Sequence, residues 1–358
     1  MKIIICISRL IGGGAERVAC LWANGFSAKG HDVTLMICGT SEEHYYLEEK
    51  VKIVNVLKEP SLFDNSFMNI IKMRRIFRKI KPDVIITILH PSGLRAWFAS
   101  VGLKIPIINT EHNTFERPEG AKWSFSVLAQ KFYINRLFRA VTVLTNADRE
   151  LIKNRFKHIY VLPNPLAFKP LPHVAQKEKL IMVSGRLDAW FVKGLDMIIQ
   201  AWASISTKYP EWEMVITGED LNNSKQYLLS LWPYDDRQLS FAGFCDNIDD
   251  YYKRASIFVL SSRCEGFGMV LVEAMSQGCA CISTDYKGRQ REIISNEEDG
   301  IIVNEMSTSA LSQSISSLIE NPAIMEQMQN NALKRASHFT IDRIMEKWDV
   351  IFREVLHT

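Results

Sequence analysis

The sequence predicts an α/β protein made of two doubly wound, Rossmann-like domains. Short apolar runs rich in β-branched residues alternate with amphipathic helical patterns, which is typical of parallel sheets covered by helices on both faces. The alternation stops at a proline-rich stretch near the middle of the chain and then restarts. At 358 residues the chain is also longer than the roughly 100 to 200 residues of one ordinary domain.

The first half of the chain shows a repeating β-α-β pattern. Its strands are continuously apolar, so we expect them to be buried on both faces. The predicted strands are Lys2–Ile7, Val33–Cys38, Val84–Leu89, Pro106–Thr110 and Val141–Leu144, and the predicted helices are Ala15–Lys29 and Ile70–Ile80.

A domain boundary is predicted within Leu162–Lys179, which holds four prolines in 18 residues. Proline breaks helices and is excluded from central strands, so this stretch is a linker. We therefore place an N-terminal domain at 1–165, a C-terminal domain at 166–340, and a final helix at 341–358 that packs back on the N-terminal domain. The second half is predicted to contain strands Leu180–Ser184, Trp212–Thr217, Ile257–Ser261 and Ala280–Ser283, and helices over about Gly194–Tyr209 and Gly268–Gln277.

Composition excludes several classes of protein. Hydrophobic residues make up 47% of the chain and charged residues 23%, which are ordinary globular values rather than those of a disordered chain. The longest apolar runs fall far short of the roughly 18 residues that span a bilayer, and the first residues lack the pattern of a signal peptide. The seven cysteines are an odd number without a CxxC pair, which disfavours zinc and disulfide frameworks. We expect a cytoplasmic protein with reduced cysteines.

The charge is unevenly distributed. Residues 1–165 carry 24 Lys and Arg against 14 Asp and Glu, whereas residues 166–358 carry 19 against 26. A basic half indicates an anionic partner, either a phosphate-bearing substrate or an acidic membrane surface. The alternative is an uneven but merely solvated surface.

The first predicted strand is followed by a glycine loop, Gly12-Gly13-Gly14, and then by a helix. Glycines let the backbone approach a ligand closely, and a helix N-terminus presents free N–H groups to an anion. However, Arg17 stands where the dinucleotide fingerprint needs its third glycine, so NAD binding is disfavoured. A plain tight turn is the alternative interpretation.

The second domain opens with Gly185-Arg186, followed by Lys193 before a helix. These positions bring two cations to the carboxyl edge of a predicted parallel sheet, where open α/β sheets bind ligands. The two cations suit a diphosphate, although a pair of solvated surface charges is the alternative. No Gly-Lys-Ser/Thr sequence occurs, so a Walker A loop is absent.

The most specific pattern is Glu265-Gly266-Phe267-Gly268 followed by Glu273. If the helix begins near Gly268, both glutamates can reach one cleft. Carboxylates there could accept hydrogen bonds from sugar hydroxyls and from a ribose diol, while the glycine N–H groups face phosphate. Helix capping is the alternative role for such acids.

Taken together, these motifs resemble the retaining nucleotide-sugar glycosyltransferases of the large family 4. The resemblance implies the GT-B fold, in which two Rossmann-like domains face each other across a cleft. It covers nearly the whole chain and rests on motifs in the family's order, namely Gly13 to Arg17, Glu111-His112-Asn113, Pro163-Asn164-Pro165, Gly185-Arg186-Leu187, Lys193-Gly194, and the pair Glu265 and Glu273.

The resemblance also implies roles for individual residues. Arg186 and Lys193 hold the donor diphosphate and stabilise it as the leaving group. Glu265 contacts hydroxyls of the donor sugar, and His112 lines the sugar pocket; together these four residues form the predicted catalytic set. The remaining donor-binding residues are Gly13 and Gly14 at the diphosphate, Gly266, Phe267 and Gly268 in the loop, and Glu273 at the nucleotide ribose.

By resemblance, the reaction moves a sugar from a nucleotide sugar, expected to be a UDP-sugar, to a saccharide acceptor with retention of anomeric configuration. A polyprenyl-diphosphate acceptor and a role in O-antigen, capsule or related surface-glycan synthesis are implied in the same way. No Asp-x-Asp triplet occurs, so a metal-independent reaction without a cofactor is expected. The alternatives are a sugar-nucleotide epimerase or hydrolase of the same fold, and a non-catalytic member that binds a glycan or a partner.

Two local features depart from the family pattern. The spacing from Arg186 to Lys193 is two positions longer than usual, which leaves open whether Lys193 reaches the phosphate. The segment Lys287-Gly288-Arg289-Gln290-Arg291-Glu292 lacks the family's proline and carries extra basic residues.

Two basic segments in the first half are candidates for an acceptor or membrane face. Ile70–Lys81 combines apolar residues at helical spacing with six cations and no acid, and Lys122–Arg139 interleaves aromatic and basic residues. Basic amphipathic helices lie on anionic bilayers, whereas the alternative is a helix packed on the sheet with solvated bases. No nucleic-acid-binding module is recognised, so nucleic acid is not expected as a partner. The residues predicted to form this face are Trp123, Lys131, Arg136 and Arg139.

Overall fold

A computed structural model describes residues 1–10, 13–39, 45–56, 66–89, 92–116, 124–234, 237–304 and 306–356. The chain divides into two compact units. Unit 1 comprises Met1–Ala167 and Ile341–Thr358, and unit 2 comprises Phe168–Thr340. The division lies two residues beyond the predicted boundary, and the C-terminal helix is part of unit 1.

Unit 1 contains one parallel sheet of seven strands among its described residues, in the order β3-β2-β1-β4-β5-β6-β7. Its strands are β1 (Lys2–Ile7), β2 (Asp32–Ile37), β3 (Lys52–Asn55), β4 (Val84–Ile88), β5 (Ile107–Thr110), β6 (Ala140–Val143) and β7 (Ile159–Val161). Its helices are α1 (Gly14–Ala28), α2 (Ser66–Ile80), α3 (Ser92–Ser100), α4 (Phe125–Phe132), α5 (Asn146–Ile152) and, at the C-terminus, α13 (Ile341–Leu356).

The strand β1 lies inside this sheet, between β2 and β4. Its Ile4 pairs in parallel register with Thr34 of β2 on one side and with Ile85 of β4 on the other. Residues 3–6 are fully buried, because helices cover both faces of the sheet. The β-branched run that predicted this strand is therefore the core of the unit.

The C-terminal helix α13 packs against α1. Trp348 meets Trp22 edge-on, with ring centroids 5.1 Å apart, and also contacts Phe26 at 5.6 Å. A Cβ placed on Gly25 would lie 3.0 Å from side-chain atoms of Ile341 and Met345, so the two helices approach closely at this glycine. Aromatic stacking and close packing thus hold the end of the chain on unit 1.

Unit 2 contains a parallel sheet of six strands in the order β10-β9-β8-β11-β12-β13. Its strands are β8 (Glu178–Ser184), β9 (Glu213–Thr217), β10 (Leu239–Gly243), β11 (Ala255–Leu260), β12 (Ala280–Thr284) and β13 (Ile301–Val303). Its helices are α6 (Trp190–Lys193), α7 (Leu195–Ala203), α8 (Ser224–Ser230), α9 (Ile248–Arg254), α10 (Met269–Ser276), α11 (Thr308–Glu320) and α12 (Pro322–Ala336).

Both sheets have the strand order of a doubly wound fold. The chain reverses its winding direction between β1 and β4 in unit 1 and between β8 and β11 in unit 2. At such a switch point the loops leave the carboxyl ends of two adjacent strands in opposite directions and open a crevice. The loops that follow β8 and β11 are the ones that contain the predicted donor residues.

Several elements differ from the sequence prediction. The edge strands β3, β7, β10 and β13 were not predicted. The strands β3 and β10 mix polar and apolar residues, and β7 and β13 are apolar but only three residues long, too short to stand out from loops. The helix expected over Gly194–Tyr209 ends at Ala203 and is followed by a 3₁₀ turn at Ser206–Lys208.

The seven cysteines are free thiols, and five of them are buried. No helix in the described parts of the chain combines the length and apolar character needed to cross a membrane.

Candidate functional site

The loop after β8 presents Arg186 and Lys193 at the carboxyl edge of the unit 2 sheet. The Arg186 side chain is 61% exposed and lies 3.8 Å from the carboxylate of Asp188. The Lys193 stem crosses Gly185, where an added Cβ would lie 3.1 Å from Lys193 Cγ. Both cations therefore stand at the switch point, the part of the sheet edge where doubly wound folds bind ligands.

The chain between Arg186 and Gly194 is an ordered excursion away from the sheet edge. After Arg186 the chain makes a 3₁₀ turn at Leu187–Ala189 and the single helical turn α6, which ends at Lys193. Gly194 then takes a left-handed conformation, φ 64°, and an added Cβ would lie 1.9 Å from the carbonyl oxygen of Ser261. Only glycine fits there, so the extra residues fold into a turn that returns Lys193 to the sheet edge.

An arginine in the loop after β11 holds this excursion in place. Arg263 donates two hydrogen bonds to the Asp196 carboxylate, at 2.7 and 2.8 Å, and a third to the Phe191 carbonyl oxygen at 2.7 Å. Its guanidinium also lies 4.3 Å from the centre of the Phe191 ring, and its backbone N–H donates to the Val192 carbonyl oxygen. A bidentate pair of this kind fixes geometry as well as supplying energy, so Arg263 joins the loops after β8 and β11.

Glu265 is the direct partner of Lys193. The Lys193 ammonium donates a 2.8 Å hydrogen bond to Glu265 Oε2, and the Ser262 hydroxyl donates to the same oxygen at 3.3 Å. The side chains of Lys193 and Glu265 are 28% and 16% exposed, so the pair is half-buried but reachable from solvent. The structure thus brings together one predicted phosphate-binding cation and the predicted sugar-binding carboxylate.

Glu273 lies deeper, in the second turn of α10. Its side chain is buried, and the Tyr252 hydroxyl donates to Oε2 at 3.4 Å. The helix begins after Gly268, whose φ of 92° is left-handed and selects glycine. Phe267 is buried against Phe339 at 5.8 Å and anchors the loop that carries Gly266.

The loop after β12 departs from the family sequence but is well packed. Arg289 is completely buried, and its guanidinium lies 5.2 Å from the centre of the Tyr286 ring. Arg291 instead pairs with Asp285 at 2.6 Å near the surface. The extra basic residues of this segment are therefore divided between the core and an ordinary surface ion pair.

In unit 1, Gly13 and Gly14 form the N-terminus of α1. The Glu16 carboxylate folds back over Gly13, so that an added Cβ at Gly13 would lie 2.2 Å from Glu16 Oε2. Arg9 lies 3.6 Å from the other oxygen of this carboxylate. The helix end predicted to receive phosphate is thus flanked by an acid of its own first turn.

His112 follows β5 and joins two of the motifs. Its Nε2 lies 3.1 Å from the Thr110 hydroxyl, and its Nδ1 lies 3.1 Å from the side-chain amide of Asn164 in the Pro-Asn-Pro motif. The Trp22 ring lies 5.5 Å away. Burial lowers the pKa of His112 to about 4, although the Asn164 hydrogen bond and the Glu111 carboxylate act in the opposite direction. The ring is therefore neutral at pH 7, and both of its nitrogens are engaged within unit 1.

The prediction for Lys131 was wrong, because this side chain is buried. Lys131 is only 8% exposed; its ammonium lies 3.6 Å from Glu111 and donates to the carbonyl oxygens of Asn113 and Thr114. Asn135 donates to Glu111 from the other side at 3.0 Å. A basic side chain in an aromatic segment was expected at the surface, but here it compensates a buried carboxylate beside His112.

The other residues of the predicted membrane face have different positions. Arg136 and Arg139 are exposed, and Arg136 lies over the Tyr133 ring at 5.6 Å. Trp123 lies outside the described residues. The face therefore retains two of its three predicted cations.

The important residues that sequence reasoning missed are the partners of the predicted ones. They act through contacts between distant segments, which no local sequence pattern indicates. The one available signal was closeness in sequence to a motif, as for Arg263 just before Glu265. These residues are Arg263, Asp196, Ser262, Tyr252 and Asn135. Within the described ranges, no three His, Cys, Asp or Glu side chains gather into a group that could hold a metal ion.

Comparison with known proteins assigns a family to each half of the chain. Residues 12–167 match the family model described as Glycosyltransferase Family 4, and residues 168–335 match the model described as Glycosyl transferases group 1. The two matches adjoin within the proline-rich boundary segment and together cover most of the chain.

Individual relatives match over the full length. A Campylobacter jejuni protein is 27% identical over 99% of both chains; its name is GalNAc-alpha-(1->4)-GalNAc-alpha-(1->3)-diNAcBac-PP-undecaprenol alpha-1,4-N-acetyl-D-galactosaminyltransferase. Sucrose-phosphate synthase from Thermosynechococcus elongatus has a similar structure, with a TM-score of 0.82, 18% identity and 100% coverage of both chains. HepE from Anabaena, solved in complex with UDP and glucose, also has a similar structure, with a TM-score of 0.80, 19% identity and 99% coverage of both chains.

The Arg263–Asp196 pair leads to a first prediction. Asp196→Asn removes the charge and one of the two acceptor oxygens, so the excursion between Arg186 and Gly194 should open more often. Hydrogen exchange of its backbone amides should accelerate about 10- to 100-fold, which corresponds to the loss of a charge-assisted hydrogen bond. Asp249→Asn, which breaks the more exposed pair with Lys253, is the matched control and should leave these amides unchanged. Equal exchange in both variants would show that the pair does not hold the loop.

The pKa of His112 leads to a second prediction. Between pH 6.5 and about pH 4 the unfolded chain binds a proton at this histidine that the folded chain does not. The free energy of unfolding should therefore fall as the pH is lowered through this window, and His112→Gln should lack this part of the loss. Thermal melting across the window measures the difference, with exposed His338→Gln as the control. Parallel pH profiles for the wild-type protein and His112→Gln would contradict a neutral, buried imidazole.

Proposed function

Because this chain belongs to the family 4 glycosyltransferases of GT-B fold, we propose that it transfers a sugar from a UDP-sugar to a saccharide acceptor with retention of anomeric configuration. The observation that carries the proposal is the half-buried Lys193–Glu265 pair at the switch point of unit 2, with Arg186 exposed at the same sheet edge. A cation for the diphosphate and a carboxylate for the sugar stand together where α/β sheets bind nucleotides.

The geometry supports a specific division of labour at this edge. As the bond between the anomeric carbon and the diphosphate oxygen breaks, its electron pair leaves with the diphosphate. Arg186 and Lys193 stabilise that growing charge from the sheet edge, because the loop fixed by Arg263 holds the Lys193 backbone while its ammonium turns from Glu265 to the phosphate. The acceptor hydroxyl attacks from the same face, and its proton passes to the departing phosphate oxygen.

Glu265 and Glu273 differ in accessibility, and this difference favours different ligands for each. Glu265 is reachable from solvent and can accept hydrogen bonds from sugar hydroxyls once Lys193 turns toward phosphate. Glu273 is buried beside Tyr252, so only a group inserted next to α10 can reach it. A ribose diol in the crevice matches that requirement.

The relatives support the identity of the two substrates. The HepE complex contains UDP, which favours uridine nucleotides for a fold of this kind. The Campylobacter relative is named for an acceptor built on undecaprenol diphosphate. We extend both to this chain and propose a polyprenyl-diphosphate-linked saccharide acceptor and a role in bacterial surface-glycan synthesis.

Unit 1 is proposed to serve the acceptor side of the reaction. Its glycines at the start of α1 and the neutral His112 stand at the carboxyl edge of its sheet, and exposed Arg136 and Arg139 favour approach to an anionic membrane. No metal or cofactor is part of the proposed chemistry, since arginine and lysine supply the positive charge.

Turnover with defined substrates tests the function. Nucleotide sugars are first screened by thermal shift, because a true donor stabilises the folded protein by mass action. Release of UDP from the selected donor is then measured with and without lipid-linked saccharides, and the product linkage is determined by NMR. We expect UDP release to depend on the acceptor, with and without EDTA. The linkage in the product should have the same anomeric configuration as the donor sugar. Release without acceptor would indicate a hydrolase, interconversion of the donor an epimerase, and binding without turnover a non-catalytic protein; each would overturn the proposal.

A third prediction concerns Glu273. Glu273→Ala removes the proposed ribose acceptor and should weaken UDP binding by about 1 to 3 kcal/mol, measured by calorimetry. Tyr252→Phe removes only the hydroxyl that contacts Glu273 and is expected to have a smaller effect. An unchanged affinity in a folded Glu273→Ala protein would exclude Glu273 from the nucleotide site.

A further inference from the structure

A groove opens on unit 1 at the edge of the sheet opposite to the proposed chemistry. It has a volume of about 500 Å³ and lies where α3 and α13 end and where β5 and β6 begin. This volume falls in the range of about 300 to 1,000 Å³ that holds small ligands. Of the residues assigned to the donor and acceptor sides of the reaction, Arg139 alone lines the described part of the groove.

Eight of the eleven residues that line the groove are apolar, polar atoms make up about half of its accessible surface, and its rim is cationic. Trp97, Ile105, Leu137 and Val355 are among the apolar lining residues, whereas Lys104 and Arg139 supply the two charges. Apolar walls with two cations match an amphiphile that has a hydrocarbon chain and an anionic head.

The two cations are available to a ligand. Lys104 is exposed and makes no hydrogen bond or ion pair with any described residue. Arg139 donates one long bond, 3.4 Å, to the carbonyl oxygen of Val355, which leaves its other donors for an anion. None of the described residues that line the groove is acidic, and the neighbouring Glu354 is hydrogen-bonded to Tyr160.

Apolar side chains extend from the groove onto the open surface. Phe98, Val101 and Leu137 are 49%, 53% and 42% exposed, and Tyr133 is also exposed beside Arg136. Exposed apolar side chains grouped around cations are typical of a surface that meets a bilayer. The groove therefore opens among side chains suited to the lipid interface.

We propose that this groove binds one anionic membrane phospholipid, with an acyl chain along the apolar wall and the phosphate between Lys104 and Arg139. The proposal rests on the proposed function only in that a lipid-linked acceptor brings the protein to a membrane. It adds a binding site that the sugar transfer itself does not require, and it orients unit 1 on the bilayer.

The position of the groove favours a phospholipid over the acceptor's own diphosphate. Strand β5 has its first residue, Ile107, in the groove and its last, Thr110, next to His112. Four strand residues span about 10 Å, so the two ends of β5 face different surroundings. A diphosphate held in the groove would stand on the wrong edge of the sheet to present an adjoining sugar to His112.

Flotation with phosphatidylglycerol vesicles tests the charge requirement. The full-length variant Lys104→Gln/Arg139→Gln should bind these vesicles at least about tenfold more weakly than the wild-type protein, since each cation near an anionic surface contributes to binding. The control Lys208→Gln/Lys334→Gln removes two exposed charges from unit 2 and should change binding less than about twofold. Equal losses in the two variants would indicate a general charge effect and overturn the site.

A second variant tests the groove itself. Ile105→Trp fills the apolar wall without changing charge. Native mass spectrometry of the wild-type protein released from phosphatidylglycerol nanodiscs should show one retained lipid per chain, and Ile105→Trp should lose it while its melting temperature stays within a few degrees. Retention of the lipid by a folded Ile105→Trp protein would overturn the proposal.

A third comparison separates the two sources of anionic lipid. If Lys104→Gln/Arg139→Gln bound phosphatidylglycerol vesicles normally but lost binding only to vesicles containing undecaprenyl diphosphate, the groove would serve the acceptor and the assignment to phospholipid would be wrong. UDP affinity of the wild-type protein is measured separately by calorimetry. Failure of UDP binding would contradict the proposed function, whereas failure of lipid retention would contradict only the groove.

Discussion

The strands β1 and β8 are each hydrogen-bonded to parallel neighbours on both sides, and residues 3–6 of β1 and 180–183 of β8 are buried and apolar. A polar side chain in these buried segments would need a hydrogen-bond partner inside the sheet, and both segments are wholly apolar. The polar groups of the candidate donor site accordingly lie where the strands end. Since all strands of a sheet run in one direction, the carboxyl ends collect at one edge, and the switch of winding opens that edge beside β8.

The interior of the fold could be predicted from the sequence, whereas its margins could not. Central strands are continuous apolar runs, and β1 was predicted with its observed bounds. The edge strands β3 and β13 contact the sheet on one side only, so their patterns are too weak and too short to stand out from loops. Prediction from periodicity works where burial is symmetric and fails where one side of a strand is open.

The candidate site shows the same division between local and distant information. Arg186, Lys193 and Glu265 could be selected because they follow strands in recognisable motifs. Their supports could not, since the Arg263–Asp196 pair joins segments separated by 67 residues. Lys131 shows most clearly how a distant contact decides the position of a side chain. A basic residue among aromatic residues suits both an exposed surface and a buried ion pair, and Lys131 is buried because Glu111 lies beside it.

The carboxylate of Glu16 at the start of α1 has a consequence for any anion that reaches Gly13 and Gly14. The helix end is already flanked by a negative group, which Arg9 can draw away. Arrival of a phosphate there is thus an exchange of one anion for another rather than a simple addition. The Glu16 carboxylate must move away from Gly13 when the phosphate binds, so the net change in charge at the helix end is smaller than the charge of the phosphate. The affinity of this helix end for phosphate should therefore respond only weakly to added salt.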